Sequence, residues 1–177
     1  MTIIPMSEFE RFLIMFDRMF DFVETYVNKT PSDKYEWIPI DGPGVSFGDR
    51  LENITIKGLY VHLTTSEDGF IRSLISVEDG GEIPLPINQQ LTNEVYDGDF
   101  IAMGRDIHEN CMVMLRGIKV TDLTKTVWFQ GGEYSAMGFL WALYAHYAYH
   151  LGNIDTYMRQ GDMKPTAFFN FPESKMA

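Results

Sequence analysis

From Tyr134 to Leu151 the chain runs for 18 residues without an Asp, Glu, Lys or Arg. A stretch so free of charge has to be hidden from water, and it reaches the lower edge of the length that spans a bilayer. Two histidines, four tyrosines and a serine lie within it, and no basic cluster flanks it to orient insertion. These features argue against a membrane span. They predict instead a helix enclosed on nearly every side, by three other helices or by two and a partner subunit. Leu140, Tyr144, Tyr147, Leu151, Ile154 and Met158 mark its stripe and extend it from about Glu133 to Gln160. Arg159, Gly161 and Pro165 then supply a cation, a glycine stop and a breaker in the order expected at a helix C-terminus.

Three further periodic stretches give this helix its company. Ser7-Glu8-Phe9-Glu10 has the form of a capping box, and Phe9, Leu13, Phe16, Phe20, Val23 and Val27 recur behind it at helical spacing. A first helix is therefore predicted from about Ser7 to Asn28, ended by Thr30-Pro31. The segment from Pro31 to Gly48 carries Pro39, Asp41-Gly42 and Pro43-Gly44, all turn signals. A second helix is predicted from near Ser46 to about Ser76, on Leu51, Leu59, Leu63, Phe70 and Leu74. A third is marked by Phe100, Gly104, Ile107, Cys111, Met114 and Ile118, with Asp99 as its cap. Thr121 to Gly132 reads as a loop with some extended character. The expected fold is all-α: one four-helix-bundle domain over residues 1–177, with long connections between helices 1 and 2 and between helices 3 and 4. The aromatic tail after Pro165, with Phe168, Phe169 and Phe171, is expected to pack on it.

Composition narrows the function classes. Lys and Arg number 14 against 25 Asp and Glu, a formal net charge of −11. Such a chain has little to offer nucleic-acid phosphates or an anionic membrane surface. The single cysteine, Cys111, excludes an intrachain disulfide and a cysteine-rich zinc site, and its place on an apolar stripe predicts an inert core thiol. The first residues show no basic region followed by an apolar run, so a cytoplasmic location is expected. Asn28-Lys29-Thr30 and Asn53-Ile54-Thr55 match the glycosylation pattern by chance on that reading.

The chain has four histidines. His146 and His150 stand four apart, one helical turn, a spacing at which two imidazoles can share one metal ion. The same spacing also fits two core histidines satisfied by hydrogen bonds. The metalloprotease pattern is absent, because Tyr147 stands where it needs a glutamate. Asn153 and Tyr157 continue the same face and are candidate supports. His62 also sits among apolar residues, and a third imidazole from a facing helix would complete a three-histidine set with open positions. Thr65 and Ser66 share its face and are candidate contacts for substrate. Glu67, five residues on, is a candidate acid–base. His108, between Asp106 and Glu109, reads as a solvated surface residue, and Asp155 as solvent-facing.

His62 within YVHLTTSEDGF, followed by HYAYHLGNIDTYMRQGDMKP, resembles the DinB/YfiT-like superfamily of metalloenzymes. Their second motif commonly reads His-x-x-His-His-Arg-Gly-Gln-Ile. His146, His150, Gly152 and Ile154 match it as they stand, while Tyr149, Leu151 and Asn153 depart from it. The connection YEWIPIDGPGVSFGDRL also looks like the family's link between helices 1 and 2. The resemblance runs over about residues 5–165. It implies a four-helix bundle, a divalent metal (zinc or nickel, with iron as a further option) on His62, His146 and His150, and often a homodimer. It implies hydrolase or thiol-S-transferase chemistry on a small-molecule substrate, the latter with a low-molecular-weight thiol. The missing Arg at Leu151 removes a cation that could orient an acidic group. The alternatives are a non-catalytic ligand-binding bundle, lined by the 13 Phe, 9 Tyr, 3 Trp and 11 Met, and a homodimeric interaction module with the last helix at its interface.

Overall fold

The structure is a computed structural model that describes residues 6–38 and 54–167. Four long helices form the body: α1 (Glu8–Lys29), α2 (Ile56–Ser76), α4 (Phe100–Arg116) and α5 (Ala136–Gln160). A short helix, α3 (Gln89–Asp97), and three small strands complete it: β1 (Gly81–Glu82), β2 (Thr126–Phe129) and β3 (Gly132–Ser135). Both α1 and α2 pack against α4 and against α5. The order around the bundle is therefore α1, α5, α2, α4, with α1 and α2 meeting across its centre.

The helix ends follow their caps. Ser7 and Glu10 form the reciprocal capping box, with Glu10 N–H donating to Ser7 Oγ and Ser7 N–H to the Glu10 carboxylate. Asp99 caps α4 through the Ala102 N–H. The second helix begins at Ile56, ten residues later than the sequence suggested, because Thr55 Oγ1 accepts from the Gly58 N–H at 2.9 Å and takes the capping role. The Ser46 start and Leu51 lie outside the described residues, as do Asn53, Phe168, Phe169 and Phe171. The last helix starts at Ala136, capped by Ser135, and ends at Gln160 before Gly161.

Two elements were not expected. Helix α3 starts where Asn88 Oδ1 accepts from the Leu91 N–H, and it buries only Val95, too little apolar content for a periodic signal. The stretch read as a loop is a hairpin, β2–β3, turned by Gln130 and Gly131, both at positive φ (50° and 79°). Strand β1 joins β2 in parallel. Lys125 fixes this sheet to the bundle by donating to the carbonyls of Leu74 and Val77, the unpaired C-terminal acceptors of α2.

The core is aromatic. Phe12, Phe16 and Phe20 of α1, Tyr60 and Leu63 of α2, Leu115 of α4 and Tyr147 and Ile154 of α5 are all fully buried. Two glycines allow close approach. A Cβ at Gly104 would stand 2.5 Å from the Tyr60 ring, so α4 and α2 meet there without a side chain between them. A Cβ at Gly69 would stand 2.6 Å from Pro86, so the chain between β1 and α3 lies directly on α2. Among the described residues no helix is long and apolar enough to cross a membrane.

Candidate metal centre

Helix α2 carries His62 near its middle, and α5 carries His146 and His150 one turn apart. The bundle brings the three together. Nε2 of His62 lies 3.1 Å from Nε2 of His146, and Nε2 of His150 lies 3.0 Å from the same atom. The donor atoms of all three fall within 4.8 Å of one another. The ring planes are nearly perpendicular, at 83°, 80° and 81°, so the imidazoles meet by their nitrogen edges and do not stack.

The outer nitrogens show which way the lone pairs point. Asn153 Oδ1, one turn beyond His150, can only accept, and it stands 3.2 Å from His150 Nδ1. His150 therefore carries its proton on Nδ1 and a lone pair on Nε2. Ser66 Oγ, one turn beyond His62, stands 3.3 Å from His62 Nδ1 and can hold it in the same tautomer. Nδ1 of His146 is buried and has no hydrogen-bond partner among the described residues. Burial keeps the trio neutral. It pushes the pKa of His146 down to about 3, aided by the charges His150 and His62 would carry, and that of His150 down to about 4. Burial lowers His62 as well.

With protons on Nδ1 of His62 and His150, only an Nε2 proton on His146 could bridge one of the two short N···N separations, and the lone pairs left over are free to take up a cation. Two nitrogens ~2.0–2.1 Å from a shared ion and at a tetrahedral angle stand roughly 3.3–3.4 Å apart, close to the separations found. The donor set fits a divalent ion of the zinc class, with side-chain oxygens behind two of its three ligands.

The other sequence-predicted residues divide. Thr65 lies beside His62 but donates to the Val61 carbonyl at 2.8 Å. Tyr157 is buried and makes no hydrogen bond to the trio among the described residues. Asp155 is bonded to Arg159 and Tyr26 and is only partly open to solvent. Glu67 is fully buried, and both its oxygens are taken: Oε2 accepts from the Tyr147 hydroxyl, and Oε1 stands 2.8 Å from His108 Nδ1. It does not line the cavity described below.

His108 is a correction. It is 1% exposed, not solvated. Asp106 and Glu109 flank it in sequence, but helical rotation turns them away and puts His108 on the buried face with Gly104, Cys111 and Leu115. Its Nε2 reaches Asp17, and Phe20 stacks on its ring at 3.9 Å. Burial opposes its charge, but Glu67 and Asp17 outweigh that and hold its pKa up at about 9. Asp17, Glu67, His108 and Tyr147 come one from each long helix. The spacing 104, 108, 111, 115 was the available signal. Cys111 is fully buried, and burial with Glu67 and Asp68 nearby pushes its thiol well up, so it is inert.

A cavity of about 870 Å³ opens beside the trio, with His62 and His146 in its wall. It lies between α2, α5, the hairpin and the segment carrying Pro86.

No family model matches the sequence, and no curated protein matches it. A solved structure does match. YfiT from Bacillus subtilis aligns with a TM-score of 0.65 over 93% of this chain and 94% of its own, at 14% sequence identity. That protein is described as a probable metal-dependent hydrolase with an unusual four-helix bundle topology. The likeness establishes the architecture: this chain has the four-helix-bundle fold of YfiT, with a small three-stranded sheet beside it.

Proposed function

We propose that the protein is a divalent-metal-dependent enzyme of the hydrolase or thiol-transferase type, with His62, His146 and His150 as the metal ligands and a small-molecule substrate bound in the adjoining cavity. The observation that carries this reading is the convergence of three neutral Nε2 atoms on one point. An ion held by three neutral imidazoles keeps its charge and an open position, and supplies Lewis acidity that lowers the pKa of a water or low-molecular-weight thiol bound there. The chain's own residues prepare that site. Asn153 and Ser66 orient His150 and His62, while burial keeps all three rings unprotonated. Nitrogen donors suit zinc, nickel and iron(II) alike. The description given to YfiT supports the hydrolase form of the proposal. Glu67, bound to His108 and Tyr147, acts in this reading as a strut between helices and not as an acid–base.

A second reading, a ligand-binding bundle without catalysis, is favoured by the cavity itself, which needs no ion to exist. Metal analysis separates the two. Protein purified without chelator is expected to carry about one divalent ion per chain by mass spectrometry, as a single site implies. His62→Ala, His146→Ala and His150→Ala are each expected to lose it. A protein that stays metal-free after dialysis against Zn²⁺ and Ni²⁺ leaves only the second reading.

A further inference from the structure

The walls of the cavity say what kind of molecule it takes. Its volume of about 870 Å³ falls within the range of sites for small organic ligands. No Asp, Glu, Lys or Arg lines it among the described residues. The apolar wall starts at the histidines and continues outward. Phe70 stands edge-on to His146 at 6.4 Å, then contacts Phe129 at 5.3 Å and Phe139 at 5.5 Å, and Phe139 meets Tyr134 at 5.9 Å. Leu143 and Val61 add aliphatic surface.

Most polar side chains in the wall are already committed to the protein. Thr65 donates to the Val61 carbonyl and Ser66 is bonded to His62. Asn88 caps α3, Thr92 donates to the Asn88 carbonyl, Gln89 donates to Asn93, and Tyr96 donates to Glu36. Two groups remain without a side-chain hydrogen bond among the described residues, Gln130 and Tyr134, both on the hairpin. An ionised ligand body would lose its hydration here and find no counter-charge among the described residues, which is costly. An apolar body loses nothing and gains by burial.

We propose that the ligand of this cavity is electrically neutral and largely apolar, with an aliphatic or aromatic body on the Phe70, Phe129 and Phe139 wall and an uncharged hydrogen-bonding group at Gln130 and Tyr134. That it is a substrate, with its reactive group at the His62 and His146 end, rests on the proposed function; the ligand class rests on the walls alone. The test therefore uses metal-free full-length protein, where no ion attracts anions. The neutral fluorophore N-phenyl-1-naphthylamine is titrated in, then displaced at pH 8 by octanamide, octanoate and adipate.

One saturable site is expected, with octanamide displacing the probe at least tenfold more tightly than octanoate, and adipate failing to displace it. Tyr134→Phe is expected to weaken octanamide several-fold and leave the fluorophore unaffected. Gln130→Lys, a change at an exposed turn position, is expected to shift the preference towards octanoate. Ala142→Trp, which fills the cavity from α5, is expected to weaken the fluorophore at least tenfold with helical circular dichroism unchanged. If Ala142→Trp loses its helical signal, the Gln130→Lys result decides. Absence of fluorophore binding, or displacement by octanoate or adipate as tight as by octanamide, overturns the proposal. Metal bound by the trio together with a preference for octanoate would sink this inference and spare the proposed function. A metal-free protein that prefers octanamide would do the reverse.

Discussion

The molecule holds two histidine centres, one fully buried and one partly, and they are built on opposite principles. At His108 every ring nitrogen faces a carboxylate, Glu67 on one side and Asp17 on the other. At His62, His146 and His150 the ring nitrogens face one another, and no carboxylate touches them among the described residues. The first arrangement is complete as it stands, because charge meets charge and the ring is held protonated. The second is incomplete, with three imidazole nitrogens converging and His146 Nδ1 left without a partner among the described residues. Helices α2 and α5 contribute to both. A carboxylate on each ring nitrogen makes the buried His108 a strut, whereas the trio keeps nitrogens that the proposed metal would use.

The sharpest way to break this comparison is to remove one member from each centre. Glu67→Ala leaves His108 and the Tyr147 hydroxyl buried without their partner, and is expected to cost about 3–5 kcal/mol of unfolding free energy. His146→Ala removes a partly buried ring whose Nδ1 has no partner among the described residues, and is expected to change the stability of metal-free protein by less than about 1 kcal/mol. Urea denaturation of both variants, stripped of metal, checks this. Equal losses would mean that the trio is a structural cluster like the other centre. A loss under about 1 kcal/mol for Glu67→Ala would mean that the four-helix network is not what braces the bundle.

The two centres also answer pH with opposite sign. His108 has its pKa raised to about 9 in the folded protein from 6.5. Its contribution is fully present below pH 6.5 and is lost as pH rises through 9, roughly 3 kcal/mol in all. The difference in stability between the natural protein and His108→Gln should therefore shrink between pH 6 and pH 10. His146 and His150 have folded values depressed to about 3 and about 4. Their neutral state favours folding above pH 6.5, and that advantage is lost on acidification towards those values. A difference curve for His108→Gln that stays flat from pH 6 to pH 10 would remove the buried charge from the account.

What the sequence revealed depended on whether local spacing was enough. The caps at Ser7 and Asp99 and the stop at Gly161 lie within one turn of the residues they serve, and they were legible. His146 and His150 were legible as a pair for the same reason. His108 is not legible in this way, because the third-helix stripe through Ile107 differs from the buried one through His108 by a rotation of one residue, and its acidic neighbours in sequence suggest solvent. Leu63, Glu67, Ile71 and Leu74 form one buried face of α2, which turns the carboxylate inward and away from the face of His62. The hairpin was legible only as extended character between Thr121 and Gly132, because its strands have four residues each, too few to establish alternation. The meeting of α2 with α5 was legible only through the resemblance of the two histidine motifs to a family, since spacing within one helix says nothing about which helix it faces.

The smallest effect probes the edge of the trio. Asn153 stands where the resembling family commonly has glutamine, and its shorter side chain still brings Oδ1 to 3.2 Å from His150 Nδ1. If its role is to fix the tautomer and aim Nε2, Asn153→Ala leaves the ligand in place but free to turn. Metal affinity should then fall by ~10–100-fold, the range typical of a lost support behind a ligand. Folding should change little, because Asn153 is partly exposed and His150 Nδ1 is the group that loses a partner. Competition with a chelator of known affinity measures the first, and thermal melting of metal-free protein the second. Asn153→Gln, one methylene longer, should restore most of the affinity. Affinity unchanged in Asn153→Ala would show that packing on α5 alone orients His150, and that the asparagine beside it adds nothing to the metal centre.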